Sequence, residues 1–276
     1  MINARIYMRF AKLASLLLIL ISMQKLHADS CDCCDYPIPH YDTCGQIQGI
    51  GPEYYHVKRT RKGGTSQSGD MWGVRYNYDH IKRYNIYWGM QAFYGSGTLK
   101  GKTASDDRIH STLTDKQIEG YLGYTFACKD VPYYCLTPFL GGGYFQETNH
   151  FKNPSPLHLK FKTYFPYAAF GFLSSLRVNP CWSLGLNLRV RALWNTKCKV
   201  TNDPEFDELN LMVGDRFHYR VELPIVYQGP LWCNLNLGIM PFWEYRAYGG
   251  RENFPFDFYE TKFRIYGVNL QLIYEF

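Results

Sequence analysis

The chain has 276 residues, enough for one large β domain or two ordinary domains, and aromatic residues make up 17% of it, with 24 tyrosines. Such a composition favours extended strands over helices. The formal charge is +6, but the first 28 residues carry four basic residues and no acidic one, which leaves 26 basic and 24 acidic residues after them. The charge therefore gives no reason to expect a nucleic-acid partner.

Residues 1–28 are predicted to be a secretory signal peptide. Basic Arg5, Arg9 and Lys12 precede the apolar run LASLLLILISM, and LHA before Asp29 is a plausible cleavage site. The apolar run has about a dozen residues, fewer than the roughly 20 that a membrane-spanning helix needs. No long apolar run follows, so any crossing of a membrane is left to strands.

Residues 29–45 are predicted to be a cysteine-rich periplasmic segment of an exported protein, where disulfides can form. The CDCC run lacks the second spaced pair of a zinc site, so no metal and no other cofactor is expected. Four cysteines lie in this segment and four more lie at or near short predicted turns, with their pairing left open. These disulfide candidates are Cys31, Cys33, Cys34, Cys44, Cys128, Cys135, Cys181 and Cys233.

Residues 46–276 are predicted to form ten strands. Most of them are longer than the roughly five or six residues that are usual in soluble sheets. Long polar connections alternate with short ones, which read KR, KDVPYY, VNPC and QGPL. This alternation is typical of a transmembrane barrel with short periplasmic turns and long outer loops. The first, fifth and sixth strands alternate poorly, so their register stays open. The predicted boundaries are 46–60, 70–81, 84–97, 115–128, 134–147, 159–177, 182–199, 214–227, 232–247 and 259–276.

The side-chain pattern of the segment WSLGLNLRVRALW indicates whether the apolar face of the strand meets lipid or a protein core. One face is apolar from Trp182 to Trp194, and the other includes Asn187, Arg189 and Arg191. Twelve steps of about 3.3 Å at a tilt near 40° rise roughly 30 Å, the thickness of a bilayer core. Aromatic residues at both ends of an apolar stripe are typical of a lipid-facing surface. We therefore predict an all-β fold, a single antiparallel transmembrane up-and-down β-barrel of about ten strands, with eight or twelve as alternatives.

Charged residues on the opposite faces of these strands are candidates for the lumen. Charges inside a barrel are costly unless they are paired, so one interpretation is a salt-bridged plug. The alternative is a narrow constriction whose arginines favour anions. Barrels near eight strands are just filled by side chains, which favours the plug. The lumen candidates are Arg75, Asp79, Glu119, Arg189, Arg191, Arg220 and Glu222.

The predicted outer loops offer two further candidate features. The last loop contains the aromatic residues Phe254, Phe256, Phe258 and Tyr259, which are expected to fold onto the barrel mouth, with binding of a surface ligand as the alternative. The histidines of the outer loops lie near acidic residues without the spacing of a nucleophile–base motif, so an enzyme is not expected. They are His110, His150 and His158, near Asp106 and Asp107.

The C-terminal sequence FRIYGVNLQLIYEF alternates apolar residues and ends in Tyr274 and Phe276. This ending resembles the assembly signal of bacterial outer-membrane barrels. The resemblance implies a location in the cell outer membrane, with membrane lipid and the barrel assembly machinery as partners. The cysteines are similar in placement to those of the Cys-rich outer-membrane proteins of chlamydia-like bacteria, which implies disulfide links to other Cys-rich envelope proteins.

The predicted function is a structural or surface-interaction role for an outer-membrane barrel with a plugged lumen and disulfides on its periplasmic side. A narrow porin-like channel lined by arginines is the first alternative. An outer-membrane enzyme is the second, since ten-stranded omptin-like proteases use acid pairs and a histidine at the outer rim.

Overall fold

The computed structural model describes residues 46–127, 134–156, 158–179, 181–205, 208–232, 235–253 and 257–275. In these ranges no helix is both long and apolar enough to span a bilayer. The strands are β1 (Gln46–Arg61), β2 (Ser66–His80), β3 (Asn85–Lys102), β4 (Arg108–Ala127), β5 (Tyr134–Lys152), β6 (Lys160–Asn179), β7 (Trp182–Gly185), β8 (Asn187–Leu193), β9 (Lys197–Thr201), β10 (Glu208–Met212), β11 (Phe217–Glu222), β12 (Ile225–Trp232), β13 (Leu235–Tyr248) and β14 (Thr261–Glu275).

These strands form one antiparallel sheet that closes on itself. The closing seam joins β1 to β14, from Ile47 opposite Glu275 to Arg61 opposite Thr261. Two wall strands are interrupted: β7, β8 and β9 form one, and β10, β11 and β12 form the next. Their segments pair as β7 with β12, β8 with β11 and β9 with β10. The ring therefore has ten wall strands, which confirms the predicted all-β antiparallel barrel.

The breaks in these two wall strands have local causes. Pro224, between β11 and β12, has no N–H to donate to the ladder, and its carbonyl accepts from the Gly185 N–H at 2.8 Å. Leu186, between β7 and β8, donates its N–H to the Ser174 hydroxyl at 3.0 Å. Between β8 and β9, the Asp215 carboxylate accepts from the N–H groups of Asn195 and Thr196. Substitute hydrogen bonds thus replace the ladder, and the ring stays closed.

The longest of the predicted outer loops is mostly strand. β3 continues to Lys102 and β4 begins at Arg108, so the predicted loop 98–114 is a paired hairpin with a turn at 103–107. Its outward residues are polar, but Leu99, Ile109 and Leu113 point inward and are buried. The prediction of a loop was wrong because it was based on the polar outward residues and overlooked the apolar inward ones. We call these outer ends of the wall strands, such as 98–102 and 108–114, the outer extension. They lie beyond the belt of exposed apolar residues described next.

The outward face of the ring carries a belt of exposed apolar side chains. The belt residues of β3 and β4 are 39–65% exposed: Ile86, Trp88, Met90, Tyr94, Ile118, Leu122, Tyr124 and Phe126. On the interrupted wall strand, Leu184, Leu186 and Trp194 are also exposed, as their alternation predicts. So many exposed apolar side chains on one face of the wall are unsuited to water and suited to lipid tails.

The interior changes in character along the barrel axis. The end that carries Gln46, Glu275 and the short turns is the periplasmic end by the loop pattern, and the other is the outer end. Inside the outer extension lies a largely apolar core, which the buried Arg59 and Glu147 also contact, and most of the other buried charged residues lie between this core and the periplasmic end. The core includes Val57, Met71, Leu99, Leu113, Phe161, Phe165, Val200, Leu211, Tyr248, Phe258 and Phe263.

Candidate functional site in the barrel interior

Arg220 on β11 lies at the centre of the charged part of the interior and is fully buried. Its Nε donates to Glu222 at 2.6 Å, and its Nη1 donates to Glu244 on β13 at 2.9 Å. Its Nη2 donates to Glu53 on β1 at 3.2 Å. One guanidinium therefore links three carboxylates, using the planar fork of donors that makes arginine suited to multiple anionic partners.

The ion pairs continue from Arg220 toward β2 and β4. Glu53 also accepts from Arg75, with Nη2 to Oε1 at 2.9 Å. Glu244 also accepts from Arg191 Nη1 at 2.9 Å, and Arg191 pairs in turn with Glu119. These contacts cross the lumen, because they link side chains of β1 and β2 to side chains of β8 and β4, two strands that do not pair directly with β1 or β2 in the sheet.

Two further arginines complete the connected set. Arg189 on β8 forms an ion pair with Glu119 at 3.7 Å. Arg246 on β13 donates to Glu244 and to Asp115, each at 2.7 Å. We call the set the charge network; its members are Arg75, Arg189, Arg191, Arg220, Arg246, Glu53, Asp115, Glu119, Glu222 and Glu244. Its arginines and carboxylates are equal in number, so the network is neutral.

Aromatic rings pack against three arginines of the charge network. The guanidinium carbon of Arg220 lies 3.8 Å from the ring centroid of Phe242. Those of Arg75 and Arg246 lie 4.4 Å from the centroids of Phe93 and Phe145, respectively. Stacking of guanidinium planes on rings adds cation–π attraction and excludes water from the ion pairs.

The three consecutive glycines of β5 explain why this strand alternates poorly in sequence. A Cβ at Gly143 would lie 2.6 Å from the Tyr167 hydroxyl, and one at Gly141 would lie 2.8 Å from the Tyr121 ring. Both tyrosines bind Glu119, the Tyr167 hydroxyl donating at 2.7 Å. The glycines therefore make room for side chains that complete the shell of Glu119.

Six of the seven lumen candidates from the sequence belong to the charge network, and Asp79 does not. Asp79 lies nearer the periplasmic end and accepts from the Tyr87 hydroxyl at 2.6 Å. The sequence reasoning missed Glu53, Asp115, Glu244 and Arg246. Glu244 and Arg246 alternate with the outward Trp243 and Tyr245, and that pattern could have identified them.

The last outer loop contributes to the apolar core at the mouth. Phe258 is 2% exposed, and its ring centroid lies 5.9 Å from that of Tyr248 and 5.2 Å from the Arg61 guanidinium carbon. Tyr259, the next residue, is 50% exposed. Phe254 and Phe256 lie outside the described residues.

The loop histidines and acids bond to other groups. His158 pairs with the Asn153 side chain at 2.7 Å, and Asp106 pairs with Lys102 at 2.7 Å. Asp107 accepts from Ser105 at 2.6 Å. Within the ranges that the structure describes, no cluster of three or more His, Cys, Asp and Glu side chains is arranged to hold a metal ion.

The cysteines and the C-terminal signal are only partly covered by the structure. Cys135 is buried at the start of β5, and Cys181 lies in the turn just before β7. Cys198 is buried at the outer end, where the Thr163 hydroxyl donates to its Sγ at 3.4 Å. No two of these three described cysteines form a disulfide with each other. Tyr274 faces outward. The candidates outside the described residues are Cys31, Cys33, Cys34, Cys44, Cys128, Cys233 and Phe276.

No protein-family model and no curated protein matches the chain. The outer membrane protease OmpT from Escherichia coli has a similar structure, with a TM-score of 0.53 and 11% identity over 84% of this chain and 97% of that chain. The translocator domain of autotransporter NalP from Neisseria meningitidis gives a TM-score of 0.44 and 12% identity, over 96% of this chain and 98% of that chain. Identity this low shows the fold alone.

The closed ring of ten strands and its apolar belt define the fold of a bacterial outer-membrane β-barrel, and the likeness to OmpT agrees with it. The predicted class is therefore confirmed. So is the predicted location in the outer membrane, because a belt of this kind on a closed ring is suited to lipid.

Proposed function

We propose that this chain is an outer-membrane barrel with a plugged lumen and a structural or surface-interaction role. The observation that carries the proposal is the charge network, which crosses the ring: Arg246 on β13 pairs with Asp115 on β4, five wall strands away, and Arg191 on β8 pairs with Glu119 on β4. The apolar core above it, with Phe258 at the mouth, gives further support.

A continuous water path would require parts of this network to separate. Taking away one partner of a buried ion pair leaves an uncompensated charge at a cost of about 3–5 kcal/mol. In a pore, by contrast, the charged side chains that line the constriction stay in contact with water. Buried, mutually paired arginines therefore favour the plug over an anion-selective constriction.

The surface role is supported by the outer extension, which presents folded hairpins such as 98–113 to the exterior. A periplasmic anchor is supported by the positions of Cys135 and Cys181 near the short turns. We propose that disulfides there link the barrel to its own N-terminal segment or to other Cys-rich envelope proteins, as in chlamydia-like bacteria. A non-reducing gel that shows only monomers, unchanged in mobility by reductant, would count against these links.

Single-channel recording tests the plug. The full chain is refolded, its folding is checked by a heat-modifiable gel band, and it is inserted into a planar bilayer beside a porin as positive control. We expect no steady openings. Openings whose ion selectivity changes in the double variant Arg189→Gln, Arg191→Gln would contradict the plug and establish the narrow channel.

A further inference from the structure

The outward wall of the outer extension carries a dense group of basic side chains on β4, β5, β6 and β9. Register places Lys162 directly opposite Lys199, and Tyr164 opposite Lys197. The inward neighbours Phe161, Thr163, Cys198 and Val200 are buried, so the lysines between them face outward. We call this group the lysine panel: Lys116, Lys152, Lys160, Lys162, Lys197 and Lys199.

The lysine panel begins where the aromatic edge of the apolar belt ends. The Lys162 Nζ lies 5.1 Å from the ring centroid of Tyr164, and the Lys116 Nζ lies 5.7 Å from that of Tyr94. Exposed aromatic rings at the edge of a belt mark the level of the lipid headgroups. Lys116, Lys162 and Lys197 therefore project sideways from the wall at headgroup level, and the other lysines of the panel continue from there toward the outer end.

Few acidic groups neutralise the panel. Lys199 pairs with Glu208 at 2.5 Å. The acidic residues of β4 and β5, Asp115, Glu119 and Glu147, are buried on the inward face. Burial, and after it the charges of Lys152 and Lys160, lower the pKa of His150. Inward placement of the acids thus leaves the wall strongly basic on this side.

We propose that the lysine panel binds the phosphate groups of anionic glycolipids in the outer leaflet. A lysine ammonium is a compact charge on a flexible stem, and it pairs with phosphate without a fixed geometry. Several lysines near an anionic surface contribute additively. The headgroup level of the panel and its sideways direction favour lipid over a soluble partner. The proposal holds whether or not the lumen conducts.

The test compares two variants of equal charge loss with the full wild-type chain, each refolded and checked by the heat-modifiable band. The panel variant is K160Q/K162Q/K197Q/K199Q. The control variant is K58Q/K100Q/K102Q/K262Q, whose lysines also face outward in the outer extension. The probes are bisphosphorylated lipid A in detergent micelles, the same lipid without phosphates, and a heparin oligosaccharide. Native mass spectrometry and titration measure binding.

We expect the panel variant to bind bisphosphorylated lipid A at least about tenfold more weakly, and the control variant to bind it nearly as the wild type does. Lipid A without phosphates should bind all three proteins weakly. Equal lipid A binding by the panel variant and the wild type would overturn the proposal. So would an equal loss in both variants. A panel variant that loses heparin binding and keeps lipid A binding would also overturn it, in favour of a soluble polyanion.

Discussion

Arg220 takes part in three of the nine ion pairs of the charge network, more than any other arginine in it. It donates to Glu53, Glu222 and Glu244, which would lose a shared counterion if it were replaced. We expect Arg220→Met to lower the free energy of unfolding by about 3–5 kcal/mol, because methionine keeps the length and removes the charge. Equilibrium urea unfolding in lipid vesicles measures the change.

A matched control is Lys102→Met, at an ion pair with Asp106 whose side chains are 57% and 79% exposed. Water already screens such a pair, so no measurable change is expected. If the Arg220 variant were as stable as the Lys102 variant, the charge network would not stabilise the barrel as we infer.

Phe258 and Tyr259 are neighbours in sequence with opposite environments. We expect Phe258→Ala to destabilise the barrel by about 3 kcal/mol, since it empties space in the apolar core, and Tyr259→Ala to have little effect. Urea unfolding of both variants gives the comparison. Similar losses for the two would show that the loop contributes through its backbone rather than through the buried ring.

At the scale of the element, the closing seam between β1 and β14 requires close approach at Gly267. A Cβ there would collide with the Tyr54 carbonyl oxygen and lie 2.5 Å from the Tyr55 Cβ. We expect Gly267→Ala to cost about 1–3 kcal/mol and to weaken the heat-modifiable band. Gly120→Ala, the control, adds a Cβ that meets no described atom within 4 Å. A normal band for both variants would contradict the tight seam.

The elements also show the limit of prediction from polarity. The number of wall strands was predicted correctly, since most of them alternate with the strand period of two over a dozen or more residues. Their outer ends were not, because Lys100 and Lys102 resemble loop residues unless Leu99 is recognised as the inward member of the pair. The breaks around Leu186 and Pro224 were missed as well, although a proline has no N–H for the ladder; the hydrogen bonds that replace the ladder there, from Leu186 to the Ser174 hydroxyl and from the Gly185 N–H to the Pro224 carbonyl, depend on neighbouring strands.

At the scale of the whole molecule, the height of the apolar belt determines the bilayer thickness that the barrel matches. On β3 it runs from Ile86 to Tyr94, which at about 3.3 Å per residue and a tilt near 40° spans roughly 20 Å. We expect faster and more complete folding in dilauroyl than in dioleoyl phosphatidylcholine vesicles, because the thinner bilayer reduces hydrophobic mismatch. The heat-modifiable band followed over time measures this. Equal yields in the two lipids would argue against a belt this short.

The sequence by itself determined the strand number, the lipid-facing side and the outer-membrane class, because alternation is a local property that most of the strands display by themselves. It also indicated that charged residues face the lumen. Only the tertiary structure decided which charges meet: Glu53 and Arg220 lie 167 positions apart, and ring closure brings them together. The same closure turns the acids of β4 and β5 inward toward arginines and leaves the lysine panel outside. Such pairings depend on register and on the curvature of the whole ring, which no single strand encodes.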